Sequence, residues 1–187
     1  MTHTIETRQG LPTEMQALLR AHPRDTWPDH PNFAESVQNW MRAHLMFKDL
    51  TRALRESTED FVDQRLDDTI YLTRLARYGN ALVGNLHGHH TWEDRKFFPE
   101  LREADRRFSE GLDLLEADHE LLDAGLHDLT ESANRTIKIA QLDPSQVRDE
   151  AAKVLEATTR IGTYLDRHLA DEEDLAVPII LHHQLRG

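Results

Sequence analysis

The chain is predicted to be all-α, folding as an antiparallel up-down-up-down four-helix bundle. Three observations predict this. Four long stretches repeat apolar residues three and four apart, as one face of a helix demands. Glycine and proline number only 8 and 7 in 187 residues, and the prolines fall near the ends of those stretches. No segment alternates apolar and polar residues as a half-buried strand would.

Residues 1–31 read as an N-terminal extension, loose over 1–10 and helical for a short stretch over 13–22 (TEMQALLRAH). The loop PRDTWPDHPN follows, with three prolines. Residues 32–187 form the bundle domain. The first long helix runs from Phe33 to Leu54, with Val37, Trp40, His44, Phe47 and Thr51 on its inner face. The second runs from Asp67 to Phe97, with Leu75, Leu82, Leu86, His89 and Glu93 in one stripe, and Pro99 stops or kinks it. The third runs from Ser109 to Ala140, with Leu112, Leu115, His119, Leu122, Leu126 and Leu129 aligned. Asp143-Pro144-Ser145 then starts the fourth. On that helix Val147, Ala151, Val154, Thr158, Ile161, Leu165, His168, Glu172 and Leu175 are in phase until Pro178 ends the run.

Composition limits the function. Hydrophobic residues make up 39% and charged residues 30%, which suits one helical domain with a real core. A formal charge of -12 argues against nucleic acid, whose phosphates need a basic footprint, and against an anionic membrane surface. Zero cysteines removes disulfides, thiolate chemistry and cysteine-ligated metals. The N-terminal residues lack a basic start followed by an apolar run, so the expected location is the cytoplasm. The unusual number is 12 histidines.

Each apolar stripe carries one of them: His44, His89, His119 and His168. Two stripes add a glutamate four residues later, Glu93 and Glu172. Four residues turn a helix by about 400°, so each pair leaves the same face. A buried carboxylate is costly unless it is paired or ligates a metal. There is also an internal echo: His89 and His168, Glu93 and Glu172, and Pro99 and Pro178 each stand 79 residues apart. Such a repeat suits a two-metal site, each half giving one histidine and one carboxylate. His90, beside the stripe, is read as a surface or supporting group. Tyr164, one turn before His168, is either a core tyrosine or a donor or ligand at the site.

These residues carry a resemblance. A lone histidine on the first helix, HxxxE on the second, a histidine on the third and HxxxE on the fourth resembles the hemerythrin-like family, the HHE cation-binding domain. The resemblance spans about residues 33–181. It implies two iron ions bridged by Glu93, Glu172 and an oxo or hydroxo group, with the histidines as terminal ligands; the mixed nitrogen and oxygen donors also accept manganese or zinc. In oxygen-carrying members the third helix gives a second histidine, four residues after the first. Here that position is Asp123, either a further ligand or a surface acid. The carriers' last carboxylate would fall at Glu173, but helical phase and the echo favour Glu172.

With fewer histidines than a carrier, the expected role is reaction with dioxygen, peroxide or nitric oxide, catalase-like disproportionation being its most concrete form. The competing readings are a binding or sensing module for oxygen, nitric oxide or iron, an oxygenase acting on an organic substrate, and a metal-free interaction bundle. The expected assembly is a monomer or homodimer.

Overall fold

Local signals set where each helix starts and stops. The computed structural model describes residues 3–185. Among these there is no strand, and six α-helices follow in order: α1 (Ala17–Ala21), α2 (Glu35–Val62), α3 (Asp68–Trp92), α4 (Phe98–Ala104), α5 (Ser109–Leu142) and α6 (Val147–His183). The chain is all-α, as expected. Asp67 caps α3, its carboxylate accepting from the backbone N–H of Thr69 at 2.8 Å. Asp143 does the same for Ser145 at 3.2 Å, ahead of α6. These caps satisfy donors that a helix start leaves without intrahelical partners.

Neither Pro99 nor Pro178 stops its helix. α6 passes through Pro178 and continues to His183. The missing N–H and the ring's clash are local costs, whereas Leu175 to Leu181 are all buried, and ending the helix at Pro178 would forfeit that packing. Pro99 does not stop its helix either. A π-helical turn spans Glu93–Phe97, and the N–H of Phe98 reaches back five residues to the carbonyl of Glu93. Pro99 then falls in the first turn of α4, where a missing N–H costs least.

The chain divides into two compact units. The first contains residues 1–45, 90–120 and 166–187. Its apolar cluster joins Leu11, Leu18 and Trp27 of the extension to Trp40, Phe97, Phe98, Leu112, Leu115 and the Leu175–Leu181 run. Residues 1–10 are therefore not loose throughout: Ile5 and Arg8 are buried. The second unit contains residues 46–89 and 121–165. There Phe61 stacks on Tyr71 at 4.1 Å, and Arg148 lies over the Phe61 ring at 5.0 Å. Gly125 packs closely, since a Cβ there would lie 3.1 Å from Ile161 Cγ1 and the isoleucine would have to give by a few tenths of an ångström.

Asp105, between α4 and α5, ties three pieces of the first unit together. It accepts from the Arg107 backbone at 3.2 Å, from the Arg107 guanidinium at 2.6 Å and from His183 Nε2 at 3.0 Å. Its Arg107 hydrogen bonds, with help from His183, hold its carboxyl below the usual carboxylate range. A carboxylate with a depressed folded pKa stabilises above its unfolded value, near 3.9, and loses that contribution as pH falls through the folded value. Asp105→Ala is expected to cost about 1–2 kcal/mol at neutral pH, as lost caps do. The gap should close only below about pH 4, the unfolded carboxyl's range. Chemical denaturation of both proteins from pH 7 to pH 2 checks this.

Candidate metal centre

The helices of the first unit bring six polar side chains into its interior. His44 comes from α2, His90 from the end of α3, Glu93 from the π turn, His119 from α5, and His168 and Glu172 from α6. All six are 2% exposed or less. Their donor atoms fall into two groups: His90, His119 and His168 form one, and His44, Glu93 and Glu172, with His89 next to His90 on the continuous α3, form the other. In each group one ligand atom per residue lies within 4.8 Å of the rest.

Three of the histidines are oriented by acids. His44 Nδ1 donates to Glu173 Oε1 at 3.0 Å, His119 Nδ1 to Asp94 Oδ1 at 2.7 Å, and His168 Nδ1 to Asp118 Oδ2 at 3.2 Å. An ionised carboxylate only accepts, so each Nδ1 carries the proton and each Nε2 presents a lone pair. Carboxylates hold metal-bound histidines in this way.

The Nε2 atoms face inward. Those of His119 and His168 are 3.1 Å apart, two lone pairs turned toward each other unless a cation intervenes. His90 stacks on His119 with ring centroids 4.0 Å apart. Glu172 Oε2 lies 3.4 Å from His44 Nε2 and 3.7 Å from His168 Nε2. Glu93 Oε2 lies 3.6 Å from His119 Nε2, and its Oε1 accepts from the Trp40 indole at 2.6 Å. Neither oxygen of Glu172 has a hydrogen-bond partner. Burial, then the charge of Glu93, pushes the Glu172 carboxyl well above the usual range. Burial, then His119 and His90, holds His168 well below the usual range. With no cation present the interior resists charge on either residue.

Aromatic rings wall these groups. Phe98 stacks on His119 at 5.5 Å, and Trp40 meets His44 edge-on at 4.3 Å. Trp40 and Phe97 also line a small cavity of about 140 Å³ with Ser36, Val37, Trp92 and Ile180.

Of the residues singled out in the sequence, His44, His89, Glu93 and Glu172 come together, and His119 joins His168. Asp123 is in neither group; its carboxylate bonds His87 Nδ1 at 3.2 Å. Tyr164 is half-buried and also in neither group. Glu173 supports His44 rather than joining a group. Of the two readings of His90, the surface one needs correction: it is 1% exposed and stands with His119 and His168. Its signal was legible, since Leu82, Leu86 and His90 follow one another at steps of four.

A buried set of histidines and carboxylates, inside an all-α chain, defines a cation-binding helical domain. The model of the Hemerythrin HHE cation binding domain matches residues 35–180, and the chain belongs to that family. No curated protein and no solved structure matches it significantly. No helix among the described residues is long and apolar enough to cross a membrane.

Proposed function

We propose that this chain holds two iron ions and reacts with dioxygen, peroxide or nitric oxide. His90, His119 and His168 would hold one ion. His44 and His89 would hold the other, and Glu93 and Glu172 would bridge the pair. The observation that carries the reading is the convergence of Nε2 atoms, each turned inward by an acid on Nδ1, onto two buried carboxylates. Glu172 lies against histidines of both groups, as a bridging carboxylate must. The donor set fits iron and also admits manganese or zinc.

Bound iron would supply reversible electron exchange with the small molecule. The chain's own residues do the rest. Asp94, Asp118 and Glu173 keep the Nδ1 protons in place. Trp40 fixes one oxygen of Glu93. The aromatic rings keep bulk water from the interior, which strengthens every electrostatic contact there. The neighbouring cavity, about 140 Å³, is smaller than the ~300 Å³ or more typical of organic ligand sites. That size favours a guest of a few atoms over an organic oxygenase substrate.

One observation favours a second reading, reversible binding without turnover. The expectation of reactivity rested on a missing histidine at position 123, and His90 supplies a fifth imidazole from another helix. Protein purified without chelator is expected to carry two iron ions per chain by elemental analysis; a value near zero would overturn both readings. Rapid oxygen evolution from peroxide, two peroxides giving two waters and one dioxygen, would establish turnover if Glu93→Ala abolishes it. A reversible spectral change with dioxygen and no turnover would establish binding.

A further inference from the structure

The extension before residue 35 lies outside the family match, yet it places two arginines behind the histidines. Arg8 has a side chain only 2% exposed. Its Nη1 donates to Asp118 Oδ1 at 2.8 Å, its Nη2 to Asp118 Oδ2, and its Nε to Asp171 Oδ2 at 2.6 Å. Asp118 Oδ2 is the oxygen that accepts from His168 Nδ1. Arg24 repeats the pattern nearer the surface. It donates to Glu173 Oε2 at 2.7 Å, and Glu173 holds His44 through its other oxygen.

We propose that Arg8 is a positioning residue for the metal centre, its fork fixing the Asp118 carboxylate so that Asp118 orients His168. The proposal rests on the reading of His168 as a ligand. A guanidinium is planar and donates in a fixed fork, so it sets the plane of a carboxylate as well as neutralising it. With both Asp118 oxygens held, Oδ2 has one direction in which to accept the Nδ1 proton. Asp171 is fully buried and also receives Arg167, so two arginines and two aspartates balance in charge. Removing Arg8 leaves Asp118 buried, free to rotate, and without its cation. Arg24 acts on His44 through Glu173 in the same sense, but its side chain is 43% exposed and solvent can replace it.

The test compares Arg8→Ala, Arg8→Lys and Arg24→Ala with the wild-type chain. Competition titration with Zn²⁺ or Fe²⁺ reads metal affinity. Nitrogen-15 NMR of the metal-free protein reads the His168 tautomer directly. Arg8→Ala should weaken one ion by roughly 10- to 100-fold, the effect typical of losing a partner behind a ligand, and should mix the His168 tautomers. Millimolar guanidinium should restore part of both. Arg24→Ala should lose less. Wild-type affinity and a single Nδ1–H tautomer in a folded Arg8→Ala protein would overturn the proposal. If that variant does not fold, Arg8→Lys keeps the charge without the fork. It should still lose affinity and tautomer purity, and retention of both would overturn the proposal. Should the wild-type chain bind no metal, the metal reading fails, and the tautomer measurement still decides the role of Arg8.

Discussion

Glu172→Met is expected to abolish binding of both ions while raising the melting temperature of the metal-free protein. The two effects share one cause. Glu172 is fully buried, and neither of its oxygens has a hydrogen-bond partner. In the metal-free protein its carboxylate is desolvated beside Glu93, and burial has already driven its pKa up. A thioether of similar length fills the space without charge. Replacing poorly compensated buried charges with apolar groups is often stabilising by about 1–4 kcal/mol. With metal present the balance reverses, because the variant lacks the carboxylate that contacts histidines of both groups. Elemental analysis, and thermal denaturation with and without chelator, measure the two sides. Full metal content in the variant would remove Glu172 from the centre. A metal-free variant less stable than the wild type would mean that its carboxylate is compensated by something other than a metal.

His90→Leu is expected to leave about one ion per chain where the wild type holds two. It removes one of three nitrogens in the His90, His119 and His168 group and none from the other. The buried site can take a leucine, so the fold should persist. Asp123→Ala serves as the contrast. Asp123 is half-exposed and bonded to His87, and both ions should remain. If His90→Leu keeps two ions while Asp123→Ala loses one, Asp123 is the ligand and the assignment of His90 is wrong.

The long helices were legible because burial follows the apolar period. Leu54, Leu82, Leu112 and Ile161 were placed on inner faces, and each is fully buried. Glu93 and Glu172 were legible for a thermodynamic reason: a carboxylate in phase with leucines needs a partner. His90 was passed over as a surface or supporting group because the 79-residue echo selects His89, and only its burial, at 1% exposed, removes the surface reading. The echo holds for side-chain type but not for the backbone, since the second helix carries a π turn after its HxxxE while α6 is an unbroken α-helix. Pro178 misled because its local cost is visible in a sequence and the packing around Leu175 to Leu181 is not. Arg8 was illegible because it bonds residues 110 and 163 positions away, and nothing in its neighbourhood distinguishes it from a surface arginine.

The π turn has the geometry of a single inserted residue. Eighteen residues make about five full turns of α-helix, so position 100 should lie under Leu82. Instead Leu101 is fully buried and Glu100 only half-buried. The helix thus carries two phases that meet at Glu93. Upstream of the join, side chains are timed to His90. Downstream, they are timed to Phe97, Phe98 and Leu101 of the core. Straightening the turn with every residue kept would swing all later side chains by about 100°, whereas removing one residue at the join would leave them facing the same way. The turn thus absorbs the one residue by which the spacing from His90 to the core below exceeds that of a plain helix.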